Sequence, residues 1–343
     1  MIRKPAPAAR HRAPARRLIL SLAAAALASP ALSPAMAQAE VWPSRPIKWI
    51  VPFPPGGPTD TFSRAVAQQL AVALGQPVLV DNRGGAGGGV GMAALAKSAP
   101  DGYTIGLSTT GTHAINPALY GSKIGYDPIK DFTPLTLAVS YINMLVINTN
   151  HPAKTVKELV DYAKANPEKV SFGSAGNGSS NHLSGEILKM VTGAPMQHVP
   201  YKGSAAALND VLGGQITFMF DIPNVAIPQS RGGRVRALAV TSAKRSPFAP
   251  DIPTMAEAGV SGYSAAGSDL WFGIMAPAGL PKPVADKLQA TLVTVLRSPE
   301  MRQIIRGQFF DPYTSTSAEF AKVLRDDGAK WAGIVKQSGA RVD

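Results

Sequence analysis

The chain has no cysteine in its 343 residues. Disulfides, thiolate metal sites and a lipid-bearing cysteine anchor are therefore excluded. Charged residues make up only 16% and aromatics 7%. No run of lysines or arginines alternates with aromatics, so nothing in the pattern points to nucleic acid. The Gly-x-Ser-x-Gly elbow of α/β-hydrolases is missing, and Gly173-Ser-Ala-Gly176 has the wrong spacing. A strict Gly-x-Gly-x-x-Gly run over residues 84–91, Gly-Lys-Ser/Thr and His-Glu-x-x-His are missing too. His113, His151, His182 and His198 lie far apart with no acidic pattern that implies a metal. Neither cofactor nor metal is called for.

At 45% hydrophobic, the chain can bury large cores, and its length favours two lobes. The first residues differ from the rest. Arg3, Lys4, Arg10, Arg12, Arg16 and Arg17 precede an apolar stretch of small residues over 18–29, then overlapping Ala-x-Ala sites at Ala35, Ala37 and Ala39. This predicts a cleavable secretory signal over residues 1–37, too short in its apolar part to remain as a membrane span. The Arg16-Arg17 pair fits the twin-arginine route loosely, so ordinary secretion is expected. Export without a lipid anchor predicts a periplasmic protein. Removing the six signal cations from the formal +12 leaves about +6, spread over the surface at Lys48, Arg64, Lys97, Lys123, Lys130 and Lys154 rather than clustered.

Three loops rich in glycine and hydroxyls carry the functional signal. They read Val51-Pro-Phe-Pro-Pro-Gly-Gly-Pro-Thr-Asp60, Asp81-Asn-Arg-Gly-Gly-Ala-Gly-Gly-Gly89 and Ser171-Phe-Gly-Ser-Ala-Gly-Asn-Gly-Ser-Ser180. Each is expected to leave a strand and open a helix, where unpaired backbone N–H groups and the helix dipole favour an anion. One such loop alone is equally a tight strand-to-helix connection. Three of them, with no nucleophile–base pair alongside, point to capture of a small carboxylate. Pro54 and Pro55 stiffen the first loop, so less entropy is lost on binding.

Apolar runs alternating with helical patterns predict parallel βα units. Strands are expected over residues 47–53, 78–80, 103–108, 143–149, 170–173, 199–201, 215–220, 235–241 and 270–275. Helices are expected to Leu74 from a cap at Thr59 or Asp60, over 90–99, from a Thr155–Glu158 capping box to Asn166, and over 180–191, 283–297 and 317–337. Residues 242–267 read as a return linker. The final helix carries Phe320, Val323, Leu324, Trp331 and Val335 on a stripe expected to pack on the first lobe.

Further runs follow in order: Trp42-Pro-x-Arg-Pro46, Val80-Asp-Asn-Arg-x-Gly-Ala-x-Gly88, Ala99-Pro-Asp-Gly-Tyr103, His198-Val-Pro-Tyr-Lys-Gly203, Gly213-Gly-Gln215, Arg236-Ala-Leu-Ala239, Pro253-Thr-Met-Ala-Glu-Ala-Gly259 and Trp271-x-Gly273. Together they resemble the Bug family, the periplasmic solute receptors of tripartite tricarboxylate transporters, over nearly the whole mature chain. The resemblance implies an α/β, two-lobed periplasmic binding protein of the type II-like, Venus-flytrap kind. Each lobe would be a mixed sheet flanked by helices, joined by two crossover strands. Lobe 1 would hold residues 38–142 and 266–343, and lobe 2 residues 143–265. In that family the ligand carboxylate near the first lobe is held by backbone and ordered water. Carried over, the first-lobe contacts are Phe53, Gly56, Gly57 and Asp60, then Gly85, Ala86 and Gly87, then Thr110 and Thr112. The second lobe gives Ser174, Gly176, Asn177, Ser179, Ser180, Tyr201 and Asp221. Implied partners are a small carboxylate and membrane permease subunits, with a monomer as the default for a closing clamp. The chain departs from the family pattern at Gln197, where threonine is usual, and residues 220–224 are a variable stretch.

Some alternatives stay open at this level. Asp60 is either a helix cap or a ligand contact. Asp221 favours an amino-acid ligand or else sits turned away. Each histidine reads first as a hydrogen-bonded helix-end or surface residue; His113 and His182, which follow loops placed at the cleft, are the better candidates for a ligand contact, and there would donate to a ligand oxygen in preference to acid–base work. Ser179 or Ser180 with His182 would be the minimal basis of a secreted esterase, without an orienting acid. A receptor that reports ligand to a sensor kinase would have the same soluble chain.

Overall fold

The computed structural model describes residues 42–263 and 270–342, with residues 1, 2 and 4. The predicted signal over 1–37, and residues 264–267 of the expected linker, lie outside the described residues.

The first sheet begins with β1 (Ile47–Val51), β2 (Val78–Asn82) and β3 (Thr104–Thr109), parallel strands joined through helices α1 (Pro58–Leu74) and α2 (Gly89–Ala96). A long strand, β4 (Phe132–Tyr141), follows a π-helical turn over Gly111–Ile115 and the short helix α3 (Asn116–Tyr120). The chain then passes through residues 142–143 into β5 (Met144–Asn148) of a second sheet. There α4 (Val156–Ala165) leads to β6 (Ser171–Ser174), α5 (Ser180–Thr192) to β7 (Gln197–Pro200), and α6 (Ser204–Leu212) to β8 (Phe218–Asp221). Helix α7 (Pro223–Arg231) and strand β9 (Val235–Val240) complete it. The chain returns to the first sheet as β10 (Leu270–Pro277), then α8 (Lys282–Arg297), α9 (Pro299–Gly307), the two-residue β11 (Asp311–Pro312) and α10 (Ser317–Ser338).

The first sheet runs β11-β4-β10-β3-β1-β2 and the second β7-β6-β8-β5-β9. Their plans match. Each has its first parallel strand between the second and third, then an antiparallel strand (β10 or β5) next in chain order after the other sheet's strands. The result is a two-lobed α/β fold with two mixed sheets flanked by helices. In such sheets ligands sit outside the carboxyl ends of the parallel strands, and here those ends of β1, β2 and β6 carry the three glycine- and hydroxyl-rich loops.

Local chemistry sets the helix starts. Pro58 opens α1 after Gly57, and no side chain caps it, so the expected cap by Thr59 or Asp60 does not form. Thr155 caps α4 and Ser179 caps α5, each accepting from a backbone amide three residues on. Helix α10 has a reciprocal Thr316–Glu319 capping box, and its Phe320 packs edge-on to Trp271 with ring centroids 5.3 Å apart. Gly273 makes that close approach possible, since a Cβ there would stand 2.2 Å from the Phe320 ring. The stripe on α10 therefore does pack on the first sheet. The stretch read as a linker is more than a linker: Thr254 bridges to Val240, Met255 and Tyr263 are fully buried, and the Tyr263 hydroxyl donates to the Ser184 carbonyl at 2.7 Å.

Candidate functional site

Two neighbouring cavities lie where the loops of the two sheets meet. The smaller has a volume of about 60 Å³. Its wall is made of three helix starts: Gly57, Pro58 and Thr59 of α1, Ser179, Ser180 and Asn181 of α5, and Gly203, Ser204 and Ala205 of α6. Phe53, Pro54, Tyr141, Ile222 and Phe272 supply apolar surface, and Thr109 ends β3 at its side. The larger, about 210 Å³, is lined by Gly85, Ala86, Gly87, Gly88 and Tyr120 from one lobe and Gly176, Asn177, Pro200 and Tyr201 from the other. Phe53, Pro54, Ala175, Lys202 and Gly203 border both.

The first loop is shaped by Asp60, which is only 4% exposed. Its carboxylate accepts from the Gly56 amide at 2.9 Å, from Arg64 Nε at 3.0 Å and from Asn82 Nδ2 at 3.0 Å, and Asn82 also donates to the Phe53 carbonyl. Burial alone would raise its pKa, but Arg64, the Gly56 amide and Asn82 outweigh that and leave it below the usual carboxylate value. Asp60 is neither the cap nor a lining residue. It faces back into the loop and holds Gly56 at φ +83°, so Gly57 and Phe53 reach the cavity while Gly56 does not line it.

In the second loop Gly85, Ala86, Gly87 and Gly88 all have positive φ. The run closes on itself as a short 3-10 turn over Ala86–Gly88, in which the Gly88 amide donates to the Gly85 carbonyl at 3.0 Å. Ala86, at φ +48°, holds that conformation against its own Cβ. Gly87 is required for a second reason: a Cβ there would stand 2.0 Å from the Asn177 carbonyl of the opposite loop. The same Asn177 carbonyl accepts from the Tyr120 hydroxyl at 3.1 Å.

Thr110 and Thr112 line neither cavity. Thr110 Oγ1 accepts from the Trp271 amide at 2.9 Å, and Thr112 Oγ1 accepts from the Thr109 amide at 2.9 Å and contacts His113 Nδ1 at 2.9 Å. These hydroxyls hold the π-helical turn together, and Thr109 is the residue that reaches the wall. His113 lies beneath the turn, fully buried against Phe132 and Tyr126, with burial depressing its pKa to about 3. It has no route to donate to a ligand in the cavity.

Ser174 is likewise internal, bonded to His198 Nε2 at 2.7 Å and accepting from the Gly176 amide at 3.1 Å. Ser179 and Ser180 line the smaller cavity, Gly176, Asn177 and Tyr201 the larger. Ser179 Oγ donates to the Gly176 carbonyl at 2.8 Å and accepts from the His182 amide at 3.3 Å. His182 uses Nδ1 to accept from the Gly178 amide at 3.1 Å, and its ring stacks on His198 with centroids 3.9 Å apart. Burial depresses its pKa to about 3. Serine and histidine thus brace the loop instead of forming a nucleophile–base pair. Asp221 is wholly buried behind Ser204 and Ile222 and lines neither cavity, and burial pushes its carboxyl up to about 7.

Several wall residues were not found from the sequence: Thr59, Thr109, Tyr141, Asn181, Lys202, Ser204, Ile222 and Phe272. Lys202 had a signal, being inside the His198-Val-Pro-Tyr-Lys-Gly203 run, and among the described residues it is the one cation on either wall. Thr59 and Ser204 are 5% and 6% exposed, and neither hydroxyl has a partner. Among the described residues no group of three or more His, Asp or Glu side chains is placed to hold a metal.

Three helix starts contributed by two lobes around a small, mostly neutral cavity define a solute-binding receptor fold. The chain belongs to the family described as tripartite tricarboxylate transporter family receptor, which it matches over residues 62–340. It is similar to BugT of Bordetella pertussis, 37% identical over 305 residues that cover 89% of this chain and 92% of BugT. Among solved structures it is similar to the periplasmic binding protein BugD, with a TM-score of 0.83 and 36% identity over 88% of this chain and 99% of that one. It is also similar to R. palustris Rpa4515 with adipate, with a TM-score of 0.83 and 35% identity over 88% of this chain and 100% of that one.

Proposed function

We propose that the protein is an extracytoplasmic receptor that captures a small organic carboxylate between its lobes and delivers it to the membrane subunits of a tripartite tricarboxylate transporter. One observation carries this reading: the starts of α1, α5 and α6, drawn from both lobes, meet on one cavity with two unpaired hydroxyls in its wall. Helix starts favour an anion without needing a counter-charge. Each charge-assisted bond contributes on the order of 1–3 kcal/mol. The adipate in the Rpa4515 structure supports the same ligand class.

Lobe 1 is residues 38–142 and 266–343 and lobe 2 residues 143–265, with signal cleavage after the first 37 residues placing a monomer in the periplasm. Closure follows from contacts that the ligand makes with both lobes, which favour the shut state. The protein performs no chemistry on its cargo. Thermal-shift titration with mono-, di- and tricarboxylates, amino acids and aromatic acids tests this. A ligand at 100 times its Kd adds about 2.7 kcal/mol, so a bound acid raises Tm in a dose-dependent way. No response to any class of acid overturns the reading, and steady ester hydrolysis lost on Ser179→Ala would replace it with an enzyme.

A further inference from the structure

Helix α9 closes on a residue that such a position rarely holds. The Phe309 amide donates to the Arg306 carbonyl at 2.9 Å, and the Phe310 amide to the Ile305 carbonyl at 3.1 Å. This pair of bonds is the Schellman closure, whose left-handed residue is usually glycine and sometimes asparagine. Here it is Phe309, at φ +59°. A bulky residue in that region is a genuine outlier, and such strain persists only where the surrounding structure over-determines it.

Two consecutive rings, sent in opposite directions, hold the turn in place. Phe310 is fully buried in the first lobe, its ring centroid 5.5 Å from Phe272, 6.0 Å from Tyr141 and 6.1 Å from Phe62. Phe309 turns the other way. Its ring meets Phe248 edge-on at 5.9 Å, and the Arg231 guanidinium lies 5.5 Å from its centroid. Arg231 also donates to the Phe248 carbonyl at 2.8 Å, which fixes both partners to each other. Among the described residues, the hydrophobic cluster that Phe309 joins is otherwise drawn from residues between Ile142 and Ile252, around the second sheet. Two residues further on, Asp311 and Pro312 pair with Ser140 and Val139, next to the passage into β5. Phe309, Phe248 and Ile142 of that passage border one cavity of about 130 Å³.

We propose that Phe309 is a non-covalent joint between the lobes, a positioning residue that keeps them from twisting while they open and shut. This rests on the two-lobed closure given above, and not on which acid is bound. The passages of chain between lobes set where they pivot, but leave them free to bend and to twist. Adjacent rings anchored one in each lobe, beside the passage, remove the twist and leave the bend. The starts of α1, α5 and α6 then meet in one register each time the clamp shuts. Tyr141, which packs on Phe310, lines the smaller cavity, so the joint and the ligand wall share a side chain. Glycine at 309 would suit the helix end better but would leave the second lobe unanchored. That is the reason for keeping a strained phenylalanine.

Distances between nitroxide labels in the ligand-free protein test this. The chain has no cysteine, so labels go only where cysteine is introduced. Lys97→Cys in the first lobe and Lys164→Cys in the second are both at exposed positions. Val72→Cys on α1, at a position 79% exposed, replaces Lys97→Cys for a second distance. In pulsed electron resonance, Phe309→Gly is expected to broaden at least one distance distribution about twofold or more. It keeps the helix closure, so Tm should change little. Phe309→Tyr keeps the ring and should return the width of the wild type. Phe248→Ala removes the ring's partner without touching α9. It should broaden the distribution likewise, and it decides the matter if Phe309→Gly fails to fold. Unchanged widths in both label pairs overturn the proposal, and a lower Tm beside them would make the ring packing alone. If the widths behave as expected while no carboxylate raises Tm, the joint stands and the carboxylate reading falls. If adipate raises Tm and the widths stay put, only the joint falls.

Discussion

Asp221 and the stacked pair His182 and His198 lie in the same lobe and respond to pH in opposite directions. Asp221 has a carboxyl raised to about 7, against 3.8 in the unfolded chain, chiefly by burial. Between those values the folded chain keeps a proton that the unfolded chain has released. Its contribution is whole below pH 3.8 and is lost as pH rises through 7. Asp221→Asn should therefore raise Tm at pH 8 by the equivalent of about 2–4 kcal/mol and change it little at pH 4. Equal shifts at both pH values in a thermal melt would show that the carboxyl is not held neutral. His182 and His198 are depressed to about 3 and about 4, first by burial, from 6.5. Here the unfolded chain takes protons that the folded chain refuses, so stability is full above pH 6.5 and falls as the medium is acidified. At about 1.4 kcal/mol per pKa unit, the loss between pH 6.5 and 4 amounts to a few kcal/mol. His182→Asn offers an amide oxygen to the Gly178 N–H without titrating. It should flatten the fall in Tm over that range, whereas an unchanged slope would place the acid sensitivity elsewhere.

Elements separate what sequence pattern reveals from what it hides. Each glycine-rich loop opens a helix as expected, because composition marks both the strand that ends there and the helix that starts. Gly87 shows how tightly those loops are fitted. An alanine there meets the Asn177 carbonyl at 2.0 Å and must also hold φ +57°, a conformation that costs an L-residue about 1–2 kcal/mol. Gly87→Ala should lower Tm by a few degrees at most, since the clash is relieved by parting the loops, but should weaken carboxylate binding by about a hundredfold or more. Normal affinity in that variant would mean that the loops need not meet. Other elements were hidden for definite reasons. Strand β4 contains Pro134, which argues against a strand, yet it sits opposite Met275 where the register shifts. Helix α6 follows Gly203 with no side-chain cap, and α7 carries Pro228 within it, so neither announces itself. Missing α6 meant missing Ser204. Thr110, Thr112 and Ser174 were carried into the candidate site by the family resemblance, but sequence does not say which way a hydroxyl faces, and all three turn inward, Thr110 to the Trp271 amide, Thr112 to the Thr109 amide and Ser174 to His198 and the Gly176 amide.

In the whole molecule the two passages between sheets are tied together. The Asn143 amide donates to Thr241 Oγ1 at 3.0 Å, the Thr241 amide donates to the Asn143 carbonyl at 2.9 Å, and Asn143 Nδ2 reaches Ser184 Oγ at 3.0 Å. That knot joins the crossing after β4 to the one after β9, and in the closure proposed above the lobes would pivot near it. At the larger cavity the Tyr120 hydroxyl donates to the Asn177 carbonyl of the other lobe at 3.1 Å. In the closure proposed above, this bond between the two lobes is made in the shut state, so its free energy adds to closure and not to the folding of either lobe. Tyr120→Phe removes the hydroxyl and leaves the ring, at a cost of about 1 kcal/mol in the shut state. The expected result is an acid released about fivefold faster, with the association rate and the ligand-free Tm close to those of the wild type. Stopped-flow displacement measures the release directly. A slower association with unchanged release would assign Tyr120 to the path of entry, and a lower ligand-free Tm would assign its hydroxyl to the fold.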